Sequence, residues 1–80
     1  MIEVGKTYEN YSGLPIKIMT CHDDNLFEGY IVDKQGNVIH DVACFYNKKG
    51  RYVLSKDDSL YIRRNKWKYN LIVPANEGDS

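Results

Sequence analysis

Apolar and polar positions alternate with a period of two in short runs separated by Gly-bearing turns, a pattern that predicts antiparallel strands rather than helices. Lys6–Asn10 reads as a short first strand closed by the turn Tyr-Ser-Gly-Leu-Pro. The run from Pro15 to Cys21 alternates, with Ile16 and Ile18 on one face and Lys17 on the other. Residues 21–25, Cys-His-Asp-Asp-Asn, are polar and read as a loop. Leu26–Asp33 follows, and Gly29 inside it predicts a bulge or a close backbone approach. Asp33–Asn37 reads as a hairpin turn in which Gly36 takes a positive φ. The longest predicted strand is Asn37–Tyr46; both of its faces are mostly apolar, which makes it central or kinked by a bulge. Asn-Lys-Lys-Gly then turns the chain, Arg51–Leu54 is short, and extended structure resumes at Ser59–Ile62.

Between Arg63 and Lys66 the chain either turns or runs on as strand into residues 67–73, until Pro74 ends the pairing. As a strand, this segment puts Trp67, Tyr69, Leu71 and Val73 on one face and Lys66, Lys68, Asn70 and Ile72 on the other. Trp67 aligned with leucine and valine reads as a core anchor. Upstream, Leu60 and Ile62 alternate inward and send Tyr61 and Arg63 outward. The expected binding surface is therefore a basic pole of Tyr61, Arg63, Arg64, Lys66 and Lys68, near Lys48, Lys49 and Arg51 if the hairpins are neighbours. The competing reading is a strand edge kept charged against aggregation. With no convincing helix, the expected fold is all-β: a small SH3-like, partly open barrel or meander of five to seven short antiparallel strands. One domain over residues 1–74 accounts for nearly all of the 80 residues, with 75–80 a disordered acidic tail.

Composition agrees with strands, since Ala is rare while Tyr, Ile and Val are plentiful. The formal charge is zero but unevenly spread. Residues 1–45 hold seven acids against three lysines, whereas 46–73 hold eight Lys or Arg against Asp57 and Asp58. Steering of an anionic partner by the whole protein is therefore not expected, but local attraction at one pole is. The opening residues turn charged within three positions, which predicts no secretory leader, a reducing compartment and free, partly buried Cys21 and Cys44. No apolar run reaches the about 18 residues of a membrane span.

Candidate chemistry is sparse. Cys21, His22, His40 and Cys44 lack the paired spacing of a structural zinc site. Gly5-Lys6-Thr7 has no upstream glycine to make a phosphate loop. Asp23-Asp24 and Asp57-Asp58 are the adjacent acids, in polar turns, and His22 beside Asp23 is a weak pairing for a general base. No catalytic residue, metal or cofactor is expected.

Tyr8, Gly13, Lys17-Ile18, Gly29, Tyr46, Gly50-Arg51-Tyr52 and Asp58 to Leu60, taken in order, resemble a pattern shared by short proteins encoded by bacteriophages and prophages. The resemblance spans residues 4–62 and departs from the pattern in reading Tyr-Ser-Gly for the usual Arg-Asp-Gly turn and in carrying the basic extension 63–73. It implies a phage protein in the host cytoplasm, with a non-catalytic role. The leading expectation is capture and inhibition of a host or defence component, a protein or an anionic ligand such as a nucleotide. Single-stranded nucleic-acid binding and a structural or assembly role in the virion are the alternatives. Strand parity favours the protein partner, because base stacking needs aromatics and cations on one accessible surface. The oligomeric state is left open.

Overall fold

The structure is a computed structural model that describes residues 1–75. Four strands, β1 (Thr7–Glu9), β2 (Pro15–Asp23), β3 (Leu26–Ile31) and β4 (Cys44–Tyr46), make one antiparallel sheet in sequence order. A short helix, α1 (Leu60–Arg64), and a 3-10 helix, Lys66–Tyr69, follow. The class is mostly β, as the alternation predicts, with fewer strands than expected among the described residues and with helices where strands were expected.

The first half follows its pattern closely. Tyr8 pairs with Ile16, and Ile16 in turn with Ile31, so the inward positions of three strands line up. Ile16, Ile18, Tyr8, Phe27, Tyr46, Ile2 and Leu71 form the core. Gly29 lies opposite Ile18 in β3, and a Cβ there would sit 2.8 Å from Ile16 Cγ2 and 3.0 Å from the Lys17 carbonyl oxygen. The close approach expected at this glycine is therefore real. Turns end where their residues specify. Asp33 Oδ1 accepts from Gln35 N and Asn37 N, both at 2.9 Å, and Gly36 takes φ 86°.

Three expectations are corrected. The polar stretch 21–25 is not a loop, because β2 runs on to Asp23, and Asp23 Oδ1 accepts from Asn25 N at 2.8 Å to make a tight turn. All five residues of the stretch are exposed. Second, the expected long strand Asn37–Tyr46 is broken: Val38 pairs with Val32 and Cys44 with Gly29. More residues lie between the two pairings on this side than on β3, so the excess is expelled and Val42 is 73% exposed.

Third, Leu60–Arg64 is helical. Ser59 caps it, its Oγ accepting from Ile62 N at 3.3 Å, and Arg63 and Arg64 sit at the carbonyl end where positive charge is favoured. Asn65 Nδ2 donates to Tyr61 O at 2.9 Å and closes the last turn. The chain then returns to the sheet. Leu71 N donates to Gly50 O and Ile72 N to Glu9 O, both at 2.8 Å, so residues 71–72 tie the 47–50 turn to the end of β1. Tyr46 and Tyr52 form a further isolated pair. The tail expected at 75–80 lies, beyond Ala75, outside the described residues.

Candidate functional site

Helix α1 and the 3-10 helix position the basic residues. In the five residues of α1, Ile62 turns toward the body of the protein while Tyr61, Arg63 and Arg64 stay exposed. A 3-10 turn repeats every three residues rather than every two. That change of period undoes the parity argument for Trp67, which is 58% exposed rather than a core anchor. Tyr69 is half-buried instead, and its ring lies 5.5 Å from that of Tyr52.

Three of the outward side chains, Tyr61, Trp67 and Lys68, form one cluster. Lys68 Nζ lies 5.6 Å from the centre of the Tyr61 ring and 5.8 Å from that of Trp67, and it donates to the Tyr61 hydroxyl at 3.3 Å. Both distances fall within the about 6 Å range of a cation–π contact. The backbone beneath is held from two sides: Lys68 N donates to Asn65 O at 2.9 Å, and Ser12 N donates to Lys68 O at 3.1 Å. Arg63 Nη2 donates to Ser55 O at 2.8 Å, which orients its guanidinium without neutralising it. Arg64 and Lys66 stand in no ion pair among the described residues, and no acid occurs anywhere in 59–73.

All five expected residues, Tyr61, Arg63, Arg64, Lys66 and Lys68, thus fall on the two helices, and Trp67 joins them. The signal that would have found it is Asp57-Asp58-Ser59, a helix-start sequence with a capping serine. Lys48 and Lys49 are bound elsewhere: Lys48 N donates to Asn25 Oδ1 and Lys48 O accepts from Ile2 N, each at 3.0 Å. Asn47 Oδ1 accepts from Lys49 N at 2.9 Å and from Arg51 N at 3.0 Å. Among the described residues no hydrogen bond or ion pair joins that turn to the helical cluster.

The other candidates lie apart from the basic pole. His22 Nε2 meets Glu28 Oε1 at 2.6 Å rather than its neighbour Asp23. The Tyr30 hydroxyl donates to the other Glu28 oxygen, and these two bonds, Tyr30 first and His22 second, hold the Glu28 carboxyl below the usual range. Both cysteines are free, Cys21 exposed and Cys44 half-buried; burial raises the Cys44 thiol pKa. No group of three metal-binding side chains occurs among the described residues. No helix among them is long and apolar enough to cross a membrane. No family model, curated protein or solved structure matches the chain.

Proposed function

We propose that this protein is a non-enzymatic module that binds single-stranded nucleic acid on the pole formed by Tyr61, Arg63, Arg64, Lys66, Trp67 and Lys68. One observation carries the reading: the Trp67 indole lies bare beside the cations instead of inside the core. Bases stack on exposed rings for about 1–3 kcal/mol each while cations neutralise the phosphates between them, and this surface offers both. The four cations of the pole limit the electrostatic part. Neutralising at most four phosphates of a single strand gives a slope of about −3 in log K against log salt, or about a fiftyfold loss of affinity for a roughly fourfold rise in salt.

The test uses an oligothymidylate and the protein's single tryptophan. The expected result is quenching of Trp67 fluorescence on binding, with an affinity that falls steeply with salt. Absence of binding at both low and moderate salt overturns the proposal.

A second reading, docking on an acidic face of a host protein, draws support from Leu60, which is exposed beside Tyr61 and adds apolar area to an Arg-rich and aromatic surface. Capture that persists at high salt and leaves oligothymidylate unbound favours this second reading. With either reading goes the setting that the phage-protein resemblance implies, the cytoplasm of a bacterial host, where the module sequesters its partner. We also read the fold as a small SH3-like barrel. The Leu71–Gly50 and Ile72–Glu9 bonds support this, because they join the last segment to the 47–50 turn and to β1.

A further inference from the structure

On the other side of α1 lies a cavity of about 470 Å³. This is within the about 300–1,000 Å³ range of small-molecule sites. Its floor is core, with Ile16 and Tyr46, and its walls carry Ile31, Tyr52, Tyr69 and Ile62. Val42, Val53 and Leu14, all exposed, edge it with apolar surface. Two carboxylates, Asp57 and Asp58, belong to the same lining.

The charge of this lining is unbalanced. Asp58 accepts from Ser55 N at 2.8 Å and from the Tyr52 hydroxyl at 3.2 Å, so it is fixed in place by neutral donors. Asp57 has no side-chain hydrogen bond or ion pair among the described residues. The nearby cation, Arg63, spends its contact on the Ser55 carbonyl and makes no ion pair with either acid.

A second feature is left open on the floor. Asn10 is 2% exposed and lines the cavity, and its Oδ1 accepts from Ser12 N at 3.0 Å and Leu14 N at 2.9 Å. Its amide nitrogen makes no hydrogen bond among the described residues. A buried amide donor without an acceptor costs about 1–3 kcal/mol, which a bound polar group would recover.

We propose that this cavity binds an organic cation with an apolar body: an ammonium or guanidinium group held by Asp57, Asp58 and the faces of Tyr52 and Tyr69, with a carbonyl or hydroxyl acceptor for Asn10. Aromatic faces and unpaired carboxylates both attract positive charge, and the apolar walls take up the rest of the ligand. The ligand is either a small amine or the Lys or Arg side chain of a peptide; the recognition chemistry is the same. Of the pole residues only Arg63 touches this lining, through Ser55 O; Tyr61, Arg64, Lys66, Trp67 and Lys68 are not part of it.

The test is an amide-resolved NMR titration of the intact protein with phenethylammonium, with phenylethanol and phenylpropionate as neutral and anionic counterparts, and with the peptide acetyl-Leu-Arg-Leu-amide. Expected are shifts at Ala43, Tyr52, Val53 and Tyr69, with the ammonium bound at least about tenfold more tightly than the alcohol and no binding of the anion. Asp57→Asn, whose carboxylate supports no other group, weakens binding about three- to tenfold, and Val42→Lys at the exposed edge abolishes it. Arg64→Glu with Lys66→Glu, at two cations whose side chains make no hydrogen bond or ion pair with the cavity lining among the described residues, leaves it in place, which separates this site from the nucleic-acid proposal. Tighter binding of the peptide than of phenethylammonium identifies a peptide as the source, and the reverse a small amine. Equal binding of ammonium and alcohol, unchanged binding in both site variants, or no shifts at these amides overturns the proposal.

Discussion

The two sides of helix α1 differ in almost every respect that decides what a surface binds. Outward are Trp67, Tyr61 and four cations without an acid, on two short helices whose backbone Ser12 N also holds at Lys68 O. Inward, Ile62 meets a cavity whose rings belong to Phe45, Tyr46, Tyr52 and Tyr69 and whose charges are negative. Aromatic residues serve both sides, so an aromatic residue's type does not tell its role. What separates them is the neighbour: a lysine amine over Tyr61 and Trp67, an aspartate against Tyr52. The inner side is tied into the sheet by bonds distant in sequence, such as Tyr52 N to Asn70 Oδ1 at 2.8 Å. Stability is therefore expected to respond to changes on the inner side and binding to changes on the outer one.

The largest effect on stability is expected at Gly50. Its φ is +83°, and a Cβ there would lie 2.8 Å from Val73 Cγ2 and 3.2 Å from Leu71 Cβ. Gly50→Ala therefore combines left-handed strain with overpacking and costs about 2–4 kcal/mol in chemical denaturation. A neutral outcome would mean that residues 71–73 are not seated against this turn. Next comes the pole: Arg63→Glu with Arg64→Glu lowers oligothymidylate affinity about a hundredfold, since two attractions become two repulsions. The denaturation midpoint is expected to move little, because both side chains are exposed.

Trp67→Ala sharpens the contrast further. A core tryptophan would cost about 3–5 kcal/mol. An exposed one costs within about 0.5 kcal/mol of stability while removing about 1–3 kcal/mol of stacking from nucleic-acid binding. Stability loss on the larger scale would return Trp67 to the interior and end the stacking proposal.

The smallest effect concerns Tyr52, whose hydroxyl is pushed up from 10.0 to about 12, first by burial and then by the charge of Asp58. Because the folded-state value is raised, the unfolded chain loses its proton first. The contribution of Tyr52 to stability is whole below about pH 10 and declines as pH rises from there to about 12. Tyr52→Phe should flatten this alkaline decline, measured by denaturation across that range; an unchanged decline would place the titrating group elsewhere.

Much of the sheet is legible from residue order. Ile16 and Ile18 alternate with Lys17, Gly29 marks the close approach to Ile16, and Asp33 to Asn37 spell a turn, because each of these depends on residues a few positions apart. The break at residues 39–43 is different. Nothing in their own apolar character says that β3 presents too few partners to pair them. The five basic and aromatic pole residues were recognisable by type alone, and Trp67 was not, because its direction depends on the period of the backbone that carries it. A helix of five residues and a 3-10 turn of four are too short to imprint a helical period on the sequence.

Residue order alone therefore settles the β character, the turn positions and the concentration of positive charge near the C-terminal end. Long-range packing settles which rings face water, which acids lack partners, and that Asn10, Val42, Asp58 and Tyr69 line one cavity. The physical reason is range. Alternation and turn preferences act between adjacent residues and survive in the linear order, whereas burial and charge pairing depend on which distant segments occupy the space on either side of α1.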